Sequence, residues 1–144
     1  MTTQEAQNKA IVRRNYETAD KNDLTTFSEQ LAPDVAVHMP GMPAPLNREA
    51  LIQMMNVMFS GLTQRQHVFE DQIAEGDKVV TRLTLHAVHT GEFQGMPATG
   101  KQIEVQQMAI HRIRNSKIVE AWVSSDDIGM IKQLGLMPSP PTNS

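Results

Sequence analysis

Few side chains in this sequence are equipped for chemistry, and their spacing narrows the field further. There is no cysteine, so thiolate nucleophiles, thiolate metal sites and disulfides are excluded and a reducing compartment is permitted. Five histidines, His38, His67, His86, His89 and His111, are the groups able to move a proton near neutral pH. His86 and His89 stand three apart on a strand-like run and face opposite ways, and no metal site is expected. Alternation along Lys101 to Arg114 puts Gln107, Ala109 and His111 on one face, with Met108, Ile110 and Arg112 on the other. His111 is therefore a candidate acid/base group or a satisfied core histidine. Asp126 is a carboxylate placed either to transfer a proton or to cap the helix that follows it. His67 opens a strand and reads as a surface residue. Arg82 sits within the apolar run Val79 to Leu85, where a buried guanidinium needs a partner such as Glu104 or a ligand oxygen; a sheet edge or subunit face is the alternative.

Trp122, the sole tryptophan, is suited to wall a flat ligand or to make a core or subunit contact. Met54, Met55 and Met58, with Met39, Met42 and Met96, either form an adaptable ligand lining or fill gaps in the core. No serine or lysine lies in a nucleophile motif. Gly91, Gly95 and Gly100 lack the spacing and the strand-to-helix setting of a phosphate loop, so nucleotide binding is not expected.

The elements that must position these residues follow from periodicity. Ala10, Ile11, Tyr16 and Ala19 among polar residues predict an amphipathic helix from Gln4 to about Asp20. A short second helix, capped by Asp23 or Thr25, is expected through Leu31, with Pro33-Asp34 as the turn into an extended run from Val35 to Met39. After a loop at Pro40 to Pro45, Asn47 caps a third helix that Gly61 ends. Strands are predicted at Gln66 to Ala74, Lys78 to Thr90, Lys101 to Arg114 and Lys117 to Ser125, with Glu75-Gly76-Asp77 and Asn115-Ser116 as hairpin turns. Asp126 then caps a helix from Asp127 to Leu134. Helices first and antiparallel strands afterwards make an α+β pattern.

A chain of 144 residues is one domain's worth, expected at residues 1–137 with a flexible tail at 138–144. A net charge of −3 without a basic cluster argues against nucleic-acid binding. Met1 to Asn8 is polar, unlike a signal peptide, and no stretch reaches the roughly 20 apolar residues of a membrane span. A soluble, cytoplasmic protein that engages no membrane is the expectation.

Three segments carry a resemblance: the bend from His89 to Lys101 with Gly91-Glu92-Phe93 at its centre, Lys117-Ile118-Val119-Glu120-Ala121-Trp122, and the closing Leu134-Gly135-Leu136. With them the chain resembles the SnoaL-like polyketide cyclases, a branch of the cone-shaped α+β barrel fold shared with ketosteroid isomerase and scytalone dehydratase. The resemblance implies a strongly curved antiparallel sheet wrapped by N-terminal helices, a small apolar polyketide-type or polycyclic ligand, and homodimers formed through the outer sheet face. It implies ring closure or isomerisation by proton transfer next to a carbonyl, with no cofactor. The family aspartate that commonly follows the tryptophan is here Val123, and the family histidine position falls on Ala109. Asp126 or His111 would have to replace them. By the same resemblance His38 orients a ligand carbonyl or closes the barrel mouth, and His89 hydrogen-bonds the bend. The expected ligand-binding set is His38, Arg82, His89, Trp122, Met58 and Val123. A non-catalytic binding protein with a degenerate site, and a hydroxylase-like variant, are the alternatives.

Overall fold

The fold rests on local signals that a computed structural model, describing residues 1–135, makes explicit. Thr2 and Glu5 form a reciprocal capping box that starts α1, Thr3–Asp20. Its buried stripe is Asn8, Val12, Asn15 and Ala19, so two of the four inward positions are amides. Asn15 is satisfied by Gln30 Oε1 at 2.7 Å, and Asn8 accepts from Gln4 at 2.9 Å; a count of apolar residues misses both.

Asp23 caps α2, Leu24–Glu29. The next element departs from expectation. Leu31 belongs to β1, Leu31–His38, and Pro33-Asp34 is an irregularity inside that strand, where its register against its neighbour slips between Leu31 and Ala36. Strand pairing outweighs the local turn signal because proline needs no ladder partner at a bulge. Asn47 caps α3, Arg48–Gly61, accepting from the Ala50 N–H at 2.8 Å. β2, Leu62–Glu75, follows without a loop and starts four residues earlier than its apolar pattern suggests.

β3 (Lys78–His89), β4 (Gln102–Arg114) and β5 (Lys117–Ser125) complete a five-stranded curved sheet of order β1-β5-β4-β3-β2. Neighbours are antiparallel except β1 and β5, which run parallel, so the sheet is mixed rather than purely antiparallel. Both hairpin turns lie at the expected residues, with Gly76, Asn115 and Ser116 at positive φ. α4, Asp127–Gln133, closes the described chain. The expected tail, 138–144, lies outside the described residues, as do residues 136 and 137.

Buried apolar residues fall into two clusters. One joins α1, α2, α3 and β1 to Val79, Ile113, Ile118 and Ala121. The other gathers Leu62, Leu85, Ile103 and Val105 with Phe93, Met130 and Leu134. Leu83 and Ala109, both buried at the centre of the inner sheet face, belong to neither.

The bend between β3 and β4 is fastened to the end of α3. Thr90 and Gly91 N–H both donate to the Gly61 carbonyl, at 3.0 and 3.2 Å, and Phe93 is buried in the second cluster. A Cβ on Gly91 would overlap the backbone carbonyl oxygen of Ser60. Gly91→Ala is therefore expected to cost about 1–3 kcal/mol, read as a lower urea midpoint; an unchanged midpoint would show that the two backbones can separate freely.

Candidate active site on the inner sheet wall

Strand alternation divides the sheet residues between an inner and an outer face. On the inner face of β4 and β5, directly opposed pairs run Gln107 with Ser125, Ala109 with Val123, and His111 with Ala121. β3 contributes Thr81 and Leu83 opposite Ala109 and Gln107. β2 adds His67 and Phe69, which face the buried Leu85 and Leu83 across the ladder.

Tyr16 of α1 stands over this wall. Its ring lies 4.8 Å from that of His67 and 5.8 Å from those of Phe69 and His111. The phenol makes no hydrogen bond among the described residues, yet Tyr16 keeps accessible surface, as do Gln107, Val123 and Ser125. Burial, reinforced by Asp20, raises the Tyr16 pKa, so the hydroxyl stays a proton-bearing donor.

His111 is 5% exposed and its Nδ1 is buried without a partner, as is the Thr81 hydroxyl beside it. Burial lowers its pKa from 6.5 to about 4, so it is neutral at pH 7. A bare lone pair in the buried position costs less than an orphaned N–H. We therefore place the proton on Nε2, making His111 a donor.

His67 is not the surface residue its strand position suggests. Its side chain is 11% exposed, and Asp20 holds it twice: Oδ2 accepts the backbone N–H at 2.8 Å and Oδ1 contacts Nδ1 at 2.7 Å. Arg65 clamps the same corner. Its guanidinium donates to Leu62 O at 2.6 Å and Ala19 O at 3.2 Å, bonds Asn22, and stacks on Phe59 at 3.4 Å. Burial pulls the Arg65 pKa down while nearby Asp20 opposes that shift. Sequence periodicity missed Tyr16, His67 and Arg65 as site residues because the contacts that matter join α1 to β2 across about fifty positions of sequence.

The expected site residues scatter. Asp126 is an exposed helix cap whose Oδ1 accepts from Gly129 N–H at 2.9 Å; it does not reach the inner wall. Arg82 is on the outer face, 52% exposed, and pairs with Asp71 at 2.7 Å rather than with Glu104. Glu104 instead lies 3.5 Å from His86. His38 stacks on Trp122 at 5.3 Å and meets Glu120 at 2.8 Å, again on the outer face. Those two rings line an outer recess of about 470 Å3 with Met39, Val80, Met108 and Ile110. His89 is fully buried, with Nδ1 on the Thr99 hydroxyl at 2.9 Å and Nε2 unpartnered. Met58 packs against the second cluster and Val123 against the first. The residues that expectation and structure share on the inner wall are His111 and Val123. Among the described residues no group of three or more His, Asp or Glu could hold a metal ion.

Comparison with known proteins decides the lineage. The family model described as SnoaL-like polyketide cyclase matches residues 9–134. The chain belongs to the SnoaL-like polyketide cyclase family. Aklanonic acid methyl ester cyclase DnrD of Streptomyces peucetius is 31% identical over 131 residues, covering 87% of this chain and 88% of that protein. The crystal structure of IdmH from Streptomyces antibioticus matches at 31% identity and a TM-score of 0.83, over 90% of this chain and 99% of that one. AclR of Streptomyces galilaeus, at 23% identity and a TM-score of 0.86 over 95% and 90% of the two chains, shares the fold. The SnoaL-like fold is thus confirmed. No described helix is long and apolar enough to cross a membrane.

The His111 pKa carries a stability consequence. The unfolded imidazole, near 6.5, takes up its proton before the folded one, near 4. Stability is therefore complete above about pH 6.5 and falls as pH drops toward 4. Over that window the natural protein should lose on the order of 2–3 kcal/mol more than His111→Gln, measured by urea unfolding at several pH values. Parallel pH slopes for the two proteins would refute a buried neutral His111.

Proposed function

We propose that this protein is a SnoaL-like ring-forming enzyme that binds a small, largely apolar polyketide-type ester over the inner sheet wall, without a cofactor. It closes a ring by proton transfer next to a carbonyl. The observation that carries the reading is the cluster of unpartnered hydrogen-bonding groups, Tyr16 and His111, on a wall otherwise apolar at Leu83, Ala109 and Val123. Removing a proton next to a carbonyl creates an enolate, whose oxygen needs donors fixed in advance in a site of low dielectric. A neutral His111 Nε2–H and the Tyr16 hydroxyl are such donors. Burial keeps the Tyr16 phenol protonated and holds His111 as a neutral imidazole, which still carries one N–H.

Ala109 and Val123 face each other across β4 and β5, so the family's histidine and aspartate positions are a contacting pair. Both residues at these positions are apolar here, so proton transfer must come from neighbouring groups. A non-catalytic binding protein is the second reading, and that same apolar pair favours it.

The substrate of the DnrD relative, aklanonic acid methyl ester, is the first to try, because intramolecular closure gives an isomer of unchanged mass and altered absorbance. Turnover is expected, with Tyr16→Phe and His111→Gln each lowering kcat by about 10²-fold. Saturable binding of the ester without any isomer formed would instead establish the binding-protein reading.

We also propose that two copies pair through the outer sheet face. Val80, Ile110, Trp122 and His38 form a continuous row across β3, β4, β5 and β1, with Met108 54% exposed beside it. Arg82, Arg112 and Glu120 on the same face supply both signs of charge. Ile110→Glu is expected to convert a dimer to a monomer in sedimentation velocity. A natural protein that sediments as a monomer at micromolar concentration would contradict the pairing.

A further inference from the structure

The proposed reaction lacks a base, since His111 is kept neutral as a donor and Asp126 is remote. We infer that Asp20 and His67 form the proton-accepting dyad of this site, with His67 the catalytic base and Asp20 its positioning residue. The inference rests on the reading that the inner wall performs proton transfer next to a carbonyl.

Four observations support it. Both side chains are largely buried, at 11% and 17% exposed, in a corner sealed by Arg65 and Phe59. His67 shares the inner face with Phe69, and its ring contacts that of Tyr16 at 4.8 Å. Asp20 Oδ1 lies 2.7 Å from Nδ1, which fixes the proton on Nδ1 and leaves Nε2 as a lone pair. That Nε2 makes no hydrogen bond among the described residues, and it is absent from the fully enclosed unpartnered atoms; it is open to a ligand.

The two histidines flanking Tyr16 thus carry opposite tautomers. His111 offers a donor to a developing oxyanion, and His67 offers an acceptor to a carbon acid, the division of labour that ring closure requires. In the step itself, the C–H bond next to the carbonyl breaks and its proton passes to His67 Nε2, while the electron pair remains as the enolate. The enolate carbon then bonds to a second carbonyl carbon of the same molecule, and the alkoxide so formed takes the proton back from Nε2. Nothing is oxidised or reduced, and the imidazolium that exists between the two transfers is paired with Asp20.

Asp20→Asn is the informative variant because the backbone dictates which way its amide turns. The His67 backbone N–H needs an acceptor, so the amide oxygen must occupy the Oδ2 position, leaving the NH2 facing Nδ1. The His67 proton is then driven to Nε2 and the lone pair is lost.

The test follows C1–H exchange of 2-tetralone in D2O by NMR, alongside 15N spectra of histidine-labelled protein and turnover of aklanonic acid methyl ester. We expect the natural protein to accelerate exchange and to show the Nδ1–H tautomer at His67. Asp20→Asn should show the Nε2–H tautomer and His67→Ala should lose the ring, each slowing exchange by about 10²-fold or more; added imidazole should restore part of the rate to His67→Ala. Dyad-dependent exchange without ring closure of the ester would leave this inference standing while the cyclase reading falls. The inference is overturned if Asp20→Asn switches the tautomer and keeps the natural exchange rate, or if the natural protein exchanges no faster than buffer.

Discussion

The attachment of the last turn of α1 to the first half of β2 is the constraint on which the rest of the site depends. Asp20 accepts two hydrogen bonds from one residue, His67, while Arg65 reaches back to the Ala19 carbonyl and Asn22. A carboxylate and a guanidinium this far from water each need several partners to offset desolvation, and here each supplies structure to the other's neighbour. The consequence is positional. With its C-terminal turn pinned to β2, α1 must lie across the concave face, and Tyr16, one turn earlier, is delivered between His67 and His111. The register slip of β2 between Thr63 and Gln66, with Gln64 at positive φ, turns Arg65 inward and so belongs to the same device.

From that fastening follows a division of the sheet into two surfaces with different tasks. The inner face is apolar at its centre, and among the described residues Thr81, His111, Tyr16 and His67 carry polar atoms there without a hydrogen-bond partner, a setting where each hydrogen bond to a ligand counts for more than it would in water. The outer face holds ion pairs of Arg82 with Asp71 and of Arg112 with Glu120, which also meets His38, around an apolar row. The proposed chemistry draws on the first and the proposed pairing of two copies on the second. His38, Arg82 and Trp122 fall on the second because they alternate with the inward residues of the same strands.

Much of the fold was legible because it is encoded locally. Asn47 and Asp126 were readable as caps, Asn115-Ser116 as a hairpin turn, and the parity of Gln107, Ala109 and His111 as one inward face; the structure agrees at each. Local signals failed where a long-range contact outweighed them. Pro33-Asp34 reads as a turn, but β1 pairs through it with β5. His67 reads as exposed, because nothing near it in sequence reveals that Asp20 will cover it. For Arg82 the sequence leaves a buried, partnered guanidinium and an edge or subunit-face position both open, and strand parity sends it outward to Asp71. In the candidate site, His111 was legible from alternation, whereas Tyr16 required the packing angle of α1, which no periodicity contains.

The central claim is that ligand and chemistry belong to the inner wall under Tyr16. The most direct measurement is a crystal structure with the cyclised ester, or a stable cyclic ketone analogue of it, bound. The account predicts the ligand carbonyl within hydrogen-bond distance of the Tyr16 hydroxyl and His111 Nε2, with an acidic carbon facing His67. A ligand seated only in the outer recess between His38 and Trp122, with Tyr16 and His111 untouched, would contradict it.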